Sequence, residues 1–104
     1  MQIQINTDKN IEGNERLVAY YSAEIQEELA YLDDKITRVE VHFKDENSDK
    51  SGKNDKKCSL EVRIAKKEPI VVTEHGDTVE KAFTGAMVKM KRVLNSTLEK
   101  MHQH

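Results

Sequence analysis

Four histidines, one cysteine and several paired carboxylates are the residues of this 104-residue chain best equipped for chemistry, and their spacing decides what kind. A metal centre needs three or four converging ligands. His42, His75, His102 and His104 are instead divided among a strand-like run, a turn-like run and the C-terminal end, and they read as surface side chains. His102 and His104 together could take up a metal only adventitiously. Cys58 falls on the apolar phase of an alternating run, where a thiol packs as a small hydrophobe, and no histidine or helix start adjoins it to favour a thiolate. As the lone cysteine it also excludes an internal disulfide and a four-cysteine zinc site. Glu27 and Glu28, like Asp33 and Asp34, are adjacent in sequence, and adjacent helical positions do not face each other, so neither pair forms a shared-proton dyad. Asp45, Asn47 and Asp49 imitate the start of a calcium loop. Lys50 then stands where that loop needs glycine, and Lys56 where it needs a bidentate glutamate. The triplet Asn95, Ser96, Thr97 matches a glycosylation acceptor, but no secretory segment is expected in MQIQINTDKN. No phosphate-cradling glycine loop, zinc-protease motif or nucleophile elbow is present. The expectation is a protein that is not an enzyme, with no resident metal or cofactor and no small-molecule substrate.

Charge distribution carries more. The formal net charge of -2 speaks against a generally polyanion-binding surface. Between Glu12 and Asp34, however, seven acids stand against Arg16, whereas between Thr78 and His104 five bases stand against Glu80 and Glu99. Those five bases are Lys81, Lys89, Lys91, Arg92 and Lys100. Separations of eight, three and eight residues between Lys81, Lys89, Arg92 and Lys100 keep them near one helical face, with Lys91 at its edge. Such a stripe can follow a phosphate backbone, each cation replacing condensed counterions. It can equally be the solvated face opposite a core face.

The elements that must position these residues follow from hydrophobic period. Ile3 and Ile5 alternate with Gln2 and Gln4, the pattern of a half-buried strand. Leu17, Tyr21, Ile25, Leu29 and Leu32 recur at three and four, predicting an amphipathic helix over about 14–32 with Asn14 as its N-cap. Val39, Val41 and Phe43 alternate with polar residues in a second strand over 37–44, and Cys58, Leu60, Val62 and Ile64 do so in a third. The intervening charged stretch from Asp45 to Lys57 predicts a long, solvated hairpin connection. A short turn at Lys66 to Glu68 leads to a fourth strand over 69–73, with Pro69 at its start, ended by His75, Gly76 and Asp77. Asp77 is placed to cap a last helix whose apolar stripe runs through Val79, Ala82, Phe83, Ala86, Met87, Met90, Val93, Leu94, Leu98 and Met101. The order β-α-β-β-β-α predicts an α+β fold: one domain over 1–104, a four-stranded mixed sheet with both helices on one face. Gln4, His42, Glu61 and Arg63 belong on the other face. No apolar run approaches the ~20 residues of a membrane span.

The chain resembles the short form of the ribosome hibernation-promoting factor and ribosome-associated inhibitor A family. The resemblance rests on the opening strand, on Asn10-Ile11-Glu12 before the first helix, on His75-Gly76-Asp77, and on a closing pattern of Ala82-Phe83, Lys89, Arg92 and Leu94. It implies a cytoplasmic stress or stationary-phase protein that occupies the decoding region of the small ribosomal subunit. Such a protein blocks translation by occlusion and is expected to be a monomer away from the ribosome. Lys89 and Arg92 match the family's basic positions, making them expected contacts to ribosomal RNA, with Lys81, Lys91 and Lys100 beside them. One departure stands out: Glu24, Glu27 and Glu28 occupy the first helix where the family carries cations. That departure admits an alternative, a protein-binding regulatory module that uses the acidic helix.

Overall fold

The computed structural model describes residues 1–9, 11, 14–46 and 55–101. Strand β1 (Gln2–Thr7) leads to helix α1 (Asn14–Glu28) and a 3-10 turn (Ala30–Leu32); strands β2 (Ile36–Asp45), β3 (Lys56–Ile64) and β4 (Ile70–Gly76) follow, and helix α2 (Val79–Met101) closes the fold. The strands lie side by side in chain order, β1 parallel to β2 and the remaining pairs antiparallel. A parallel pair cannot be joined by a tight turn. Helix α1 supplies the crossover and lies over β1, while α2 lies over β3 and β4. The α+β architecture expected from the hydrophobic pattern is therefore the one observed.

The core forms between sheet and helices from the predicted phases. Val39, Val41 and Phe43 of β2 and Cys58, Leu60 and Val62 of β3 are fully buried, as the two central strands should be. Tyr21, Phe43 and Phe83 bring α1, β2 and α2 together, with the Tyr21 ring 5.0 Å from Phe43 and 4.6 Å from Phe83 between centroids. Burial pushes the Tyr21 phenol and, separately, the Cys58 thiol up to about 12. Cys58 is a core residue, as its alternation predicts.

The ends of elements differ from expectation for local reasons. The α-helical part of α1 stops at Glu28, and Leu29 and Leu32 reach the core through the tighter 3-10 turn. Asn14 is the first helical residue, and its side-chain carbonyl accepts from the Thr7 hydroxyl, tying α1 to β1. Strand β4 runs on through His75 to Gly76, paired with Lys57 and Lys56, so these residues do not end the strand. Gly76 permits it: a Cβ there would stand 2.7 Å from the Ala82 nitrogen, inside the first turn of α2. Thr78, one residue past Asp77, makes the cap, its hydroxyl accepting from the Lys81 amide at 3.1 Å. Val93 and Met101 of the expected apolar stripe are exposed, Val93 at the margin of the buried face and Met101 as the last residue of α2. At the turn before β4, Lys66 adopts φ 66° and the Lys67 amide closes onto Ile64. The expected hairpin connection and the calcium-loop comparison fall largely on 47–54, and the His102 and His104 assignments on 102–104, all outside the described residues. Flanking the first of these, the Glu46 amide donates to Asp55 and the Lys56 ammonium bridges Asp45 and Asp55 at 3.4 and 3.2 Å.

Candidate functional site

Helix geometry places the outward residues of α2 in one line from Lys81 to Lys100, nineteen residues and so about 28 Å of helix. Lys81, Lys89, Arg92 and Lys100 are exposed and Lys91 is half-buried. Lys100 lies in the last turn, where the helix dipole favours a cation. Lys81 lies near the positive end, where the dipole disfavours one, so helix stability does not account for it. Glu80 and Glu99 interrupt the line near its two ends.

Three of the five bases differ in what they touch. The Lys89 ammonium donates to the Thr73 carbonyl at 3.2 Å and pairs with Glu74 at 3.2 Å, which turns it toward β4. Glu74 also accepts the His75 amide, and that bond, followed by Lys89, holds its carboxyl below the usual range. Gly85 makes room for this arrangement, since a Cβ there would come within 2.6 Å of the Glu74 Cγ. Lys91 turns the opposite way, to Glu28 of α1 at 2.8 Å. Arg92 lies between them on the outermost line and makes no ion pair with the described residues. The five predicted residues thus share a helix face without forming a single cluster.

Two tyrosines and a valine were not singled out by their spacing alone. Tyr20 is 54% exposed, Tyr31 57% and Val88 53%. Both tyrosines fall off the apolar phase through Leu17, Tyr21, Ile25, Leu29 and Leu32, which was the available signal. Glu28 and Glu74 gave none, because their pairings join residues far apart in sequence.

The far face of the sheet is polar and partly paired, with Lys44 and Lys57 opposite each other and in no ion pair with the described residues. Arg38 donates to the side-chain carbonyls of Gln2 and Gln4 and lies 3.9 Å from Glu40, while Arg63 pairs with Glu61 at 2.8 Å. Glu40, His42, Ser59, Glu61 and Val71 line a shallow depression of about 200 Å³. Near its rim of strands, His75 meets Glu46 at 2.8 Å. Among the described residues no group of three or more histidine, cysteine, aspartate or glutamate side chains could hold a metal ion, and no helix is long and apolar enough to cross a membrane.

Fold and surface together define a small sheet-and-two-helix domain whose last helix presents exposed cations along its outer face. The family model described as sigma 54 modulation protein / S30EA ribosomal protein matches residues 3–102. The chain belongs to this family, that of the ribosome hibernation-promoting factors. Among solved structures, a ribosomal subunit interface protein from Coxiella burnetii superposes with a TM-score of 0.73 at 15% identity, over 95% of this chain and 99% of the other. At that identity the likeness is one of fold. No curated protein sequence matches the chain significantly.

Proposed function

We propose that this chain is a cytoplasmic ribosome-binding factor that occupies the decoding region of the small subunit under stress or in stationary phase and blocks translation by occlusion. The observation that carries the reading is family membership across residues 3–102. The outer face of α2 supplies the means: Arg92 and Lys81 reach solvent, with Lys89, Lys91 and Lys100 flanking them as contacts to ribosomal RNA. Each cation that meets a phosphate releases counterions, which makes the complex salt-sensitive. The mechanism requires no bond-making step, and the family is one of ribosome-associated factors.

The acidic first helix fits this reading better in three dimensions than in sequence. Glu28 is spent on Lys91 and Glu24 is half-buried beside Tyr20, which leaves Glu27 as the exposed carboxylate of the three. A second reading, a protein-binding module, is favoured by the field around Tyr20, whose phenol is pushed up first by Glu24 and then by burial, Glu80 and Glu28. Gradient fractionation of cell extracts, with and without nuclease, separates the two. An RNA-dependent complex co-sediments with ribosomal particles and is lost on digestion; a protein-only complex persists. Absence from all ribosomal fractions sinks the first reading.

A further inference from the structure

The two exposed tyrosines occupy opposite ends of the seam between α1 and α2, with different neighbours. Tyr20 stands by Glu24 and Glu80, Glu28 being paired to Lys91, so a nucleic-acid strand approaching it meets carboxylates. Tyr31, in the 3-10 turn, donates its hydroxyl to the Asn95 side-chain carbonyl of α2 at 3.4 Å. Asn95 follows Arg92 by three residues and Lys91 by four, spacings that make side chains neighbours on a helix. Val88 precedes Arg92 by four and is exposed on the same side.

Two of the acids near Tyr31 are paired within the protein, while Glu27, four residues before it, and Glu99, four after Asn95, stay exposed. Glu28 is taken by Lys91 at 2.8 Å and Asp33 by the N-terminal amine at 3.1 Å, leaving Asp34 exposed on the turn beside half-buried Lys35. What remains is an aromatic ring with more than half its surface open, an amide and an arginine that pairs with no described residue. Core packing does not explain the ring, and its one hydrogen bond is long and solvent-exposed, hence weak. Proteins that read RNA engage unpaired bases by stacking them on such rings while nearby cations hold the backbone.

We propose that Tyr31, with Arg92 one helical turn from its Asn95 partner, is a stacking site for an unpaired base of ribosomal RNA, Arg92 holding the adjacent phosphate. The inference rests on the reading that the chain binds the ribosome through RNA. Tyr20, equally exposed and of the same chemistry, serves as its internal control.

The test is equilibrium binding of the full chain to purified small ribosomal subunits over a series of salt concentrations, comparing wild type with Tyr31→Ala, Tyr31→Phe, Tyr20→Ala and Arg92→Ala. Tyr31→Ala should weaken binding by on the order of tenfold with an unchanged salt slope, since stacking releases no counterions. Tyr31→Phe and Tyr20→Ala should bind like wild type, and Arg92→Ala should flatten the slope. Wild-type binding by Tyr31→Ala overturns the stacking site alone, as does an equal loss in Tyr20→Ala or in Tyr31→Phe. Failure of the wild type to bind subunits overturns the reading beneath it as well. Melting curves of the exposed-site variants guard against loss of fold.

Discussion

Lys91 Nζ lies 2.8 Å from Glu28 Oε1, and the pair joins α2 to α1 across their outer seam. It changes the meaning of both charges. An acid that in sequence looks repulsive to RNA is matched within the protein, and a base that looks free is already engaged. Half-exposed pairs of this kind contribute only about 0–1 kcal/mol to stability, so the bridge governs surface charge more than folding.

Replacing Glu28 with glutamine should therefore release Lys91 and remove one negative charge from the helical surface. A carboxylate ~7 Å from a phosphate in water costs about 0.6 kcal/mol, so ribosome affinity should rise roughly two- to threefold. Glu74→Gln, which releases Lys89, should act in the same direction. Binding titrations at low salt report both, and unchanged or weakened affinity in both variants would contradict the electrostatic account.

The two glycines beside α2 should respond differently to alanine. At Gly76 the new methyl meets the backbone nitrogen of Ala82 at 2.7 Å, where neither strand nor helix can retreat. Gly76→Ala should cost about 1–3 kcal/mol, read as a lower denaturation midpoint. At Gly85 the obstacle is the flexible Glu74 side chain, and alanine favours helix. Gly85→Ala should lose less stability than Gly76→Ala, with Glu74 displaced from Lys89.

Stability should fall on the alkaline side through Cys58 and Tyr21. Their ordinary values are 9.0 and 10.0, and in the folded protein both are pushed up to about 12, so the folded state keeps its protons after the unfolded chain has lost them. Rising pH between ~9 and ~12 then favours unfolding, by on the order of a few kcal/mol. Glu74 works in the other direction: its lowered carboxyl value stabilises the fold above the ordinary 4.5 and that contribution is lost as pH falls. Urea midpoints measured from pH 8 to 11 check the alkaline limb. A flat profile would show that the thiol and the phenol are not held in the core. Iodoacetamide should likewise leave Cys58 unmodified at pH 8 until denaturant is added.

Much of this fold is legible in residue order because its driving pattern is local. Val39, Val41 and Phe43 announce a strand by alternation, and Leu17, Tyr21 and Ile25 a helix by their spacing of four. Element ends were less legible, since β4 can run on to Gly76 under α2 only because that residue has no Cβ, a close approach that sequence spacing does not encode. The candidate surface divides the same way. Lys81, Lys89, Arg92 and Lys100 share a face by helical arithmetic, but that Lys89 bends to Glu74 and Lys91 to Glu28 depends on the packing of α2 against β4 and α1. Tyr31 acquires its place beside Arg92 through a contact between residues 64 positions apart.

The central claim is that the outer face of α2 brings the protein to the ribosome, and charge reversal at its two outermost cations tests it most directly. Lys81→Glu with Arg92→Glu avoids Lys89 and Lys91, whose reversal would set like charges against Glu74 and Glu28. The measurement is co-sedimentation with small ribosomal subunits at near-physiological salt, alongside a circular dichroism spectrum of the variant. Wild type in the subunit fractions and the folded variant at the top of the gradient is the predicted result; a folded variant that sediments with the subunits as wild type does would contradict it.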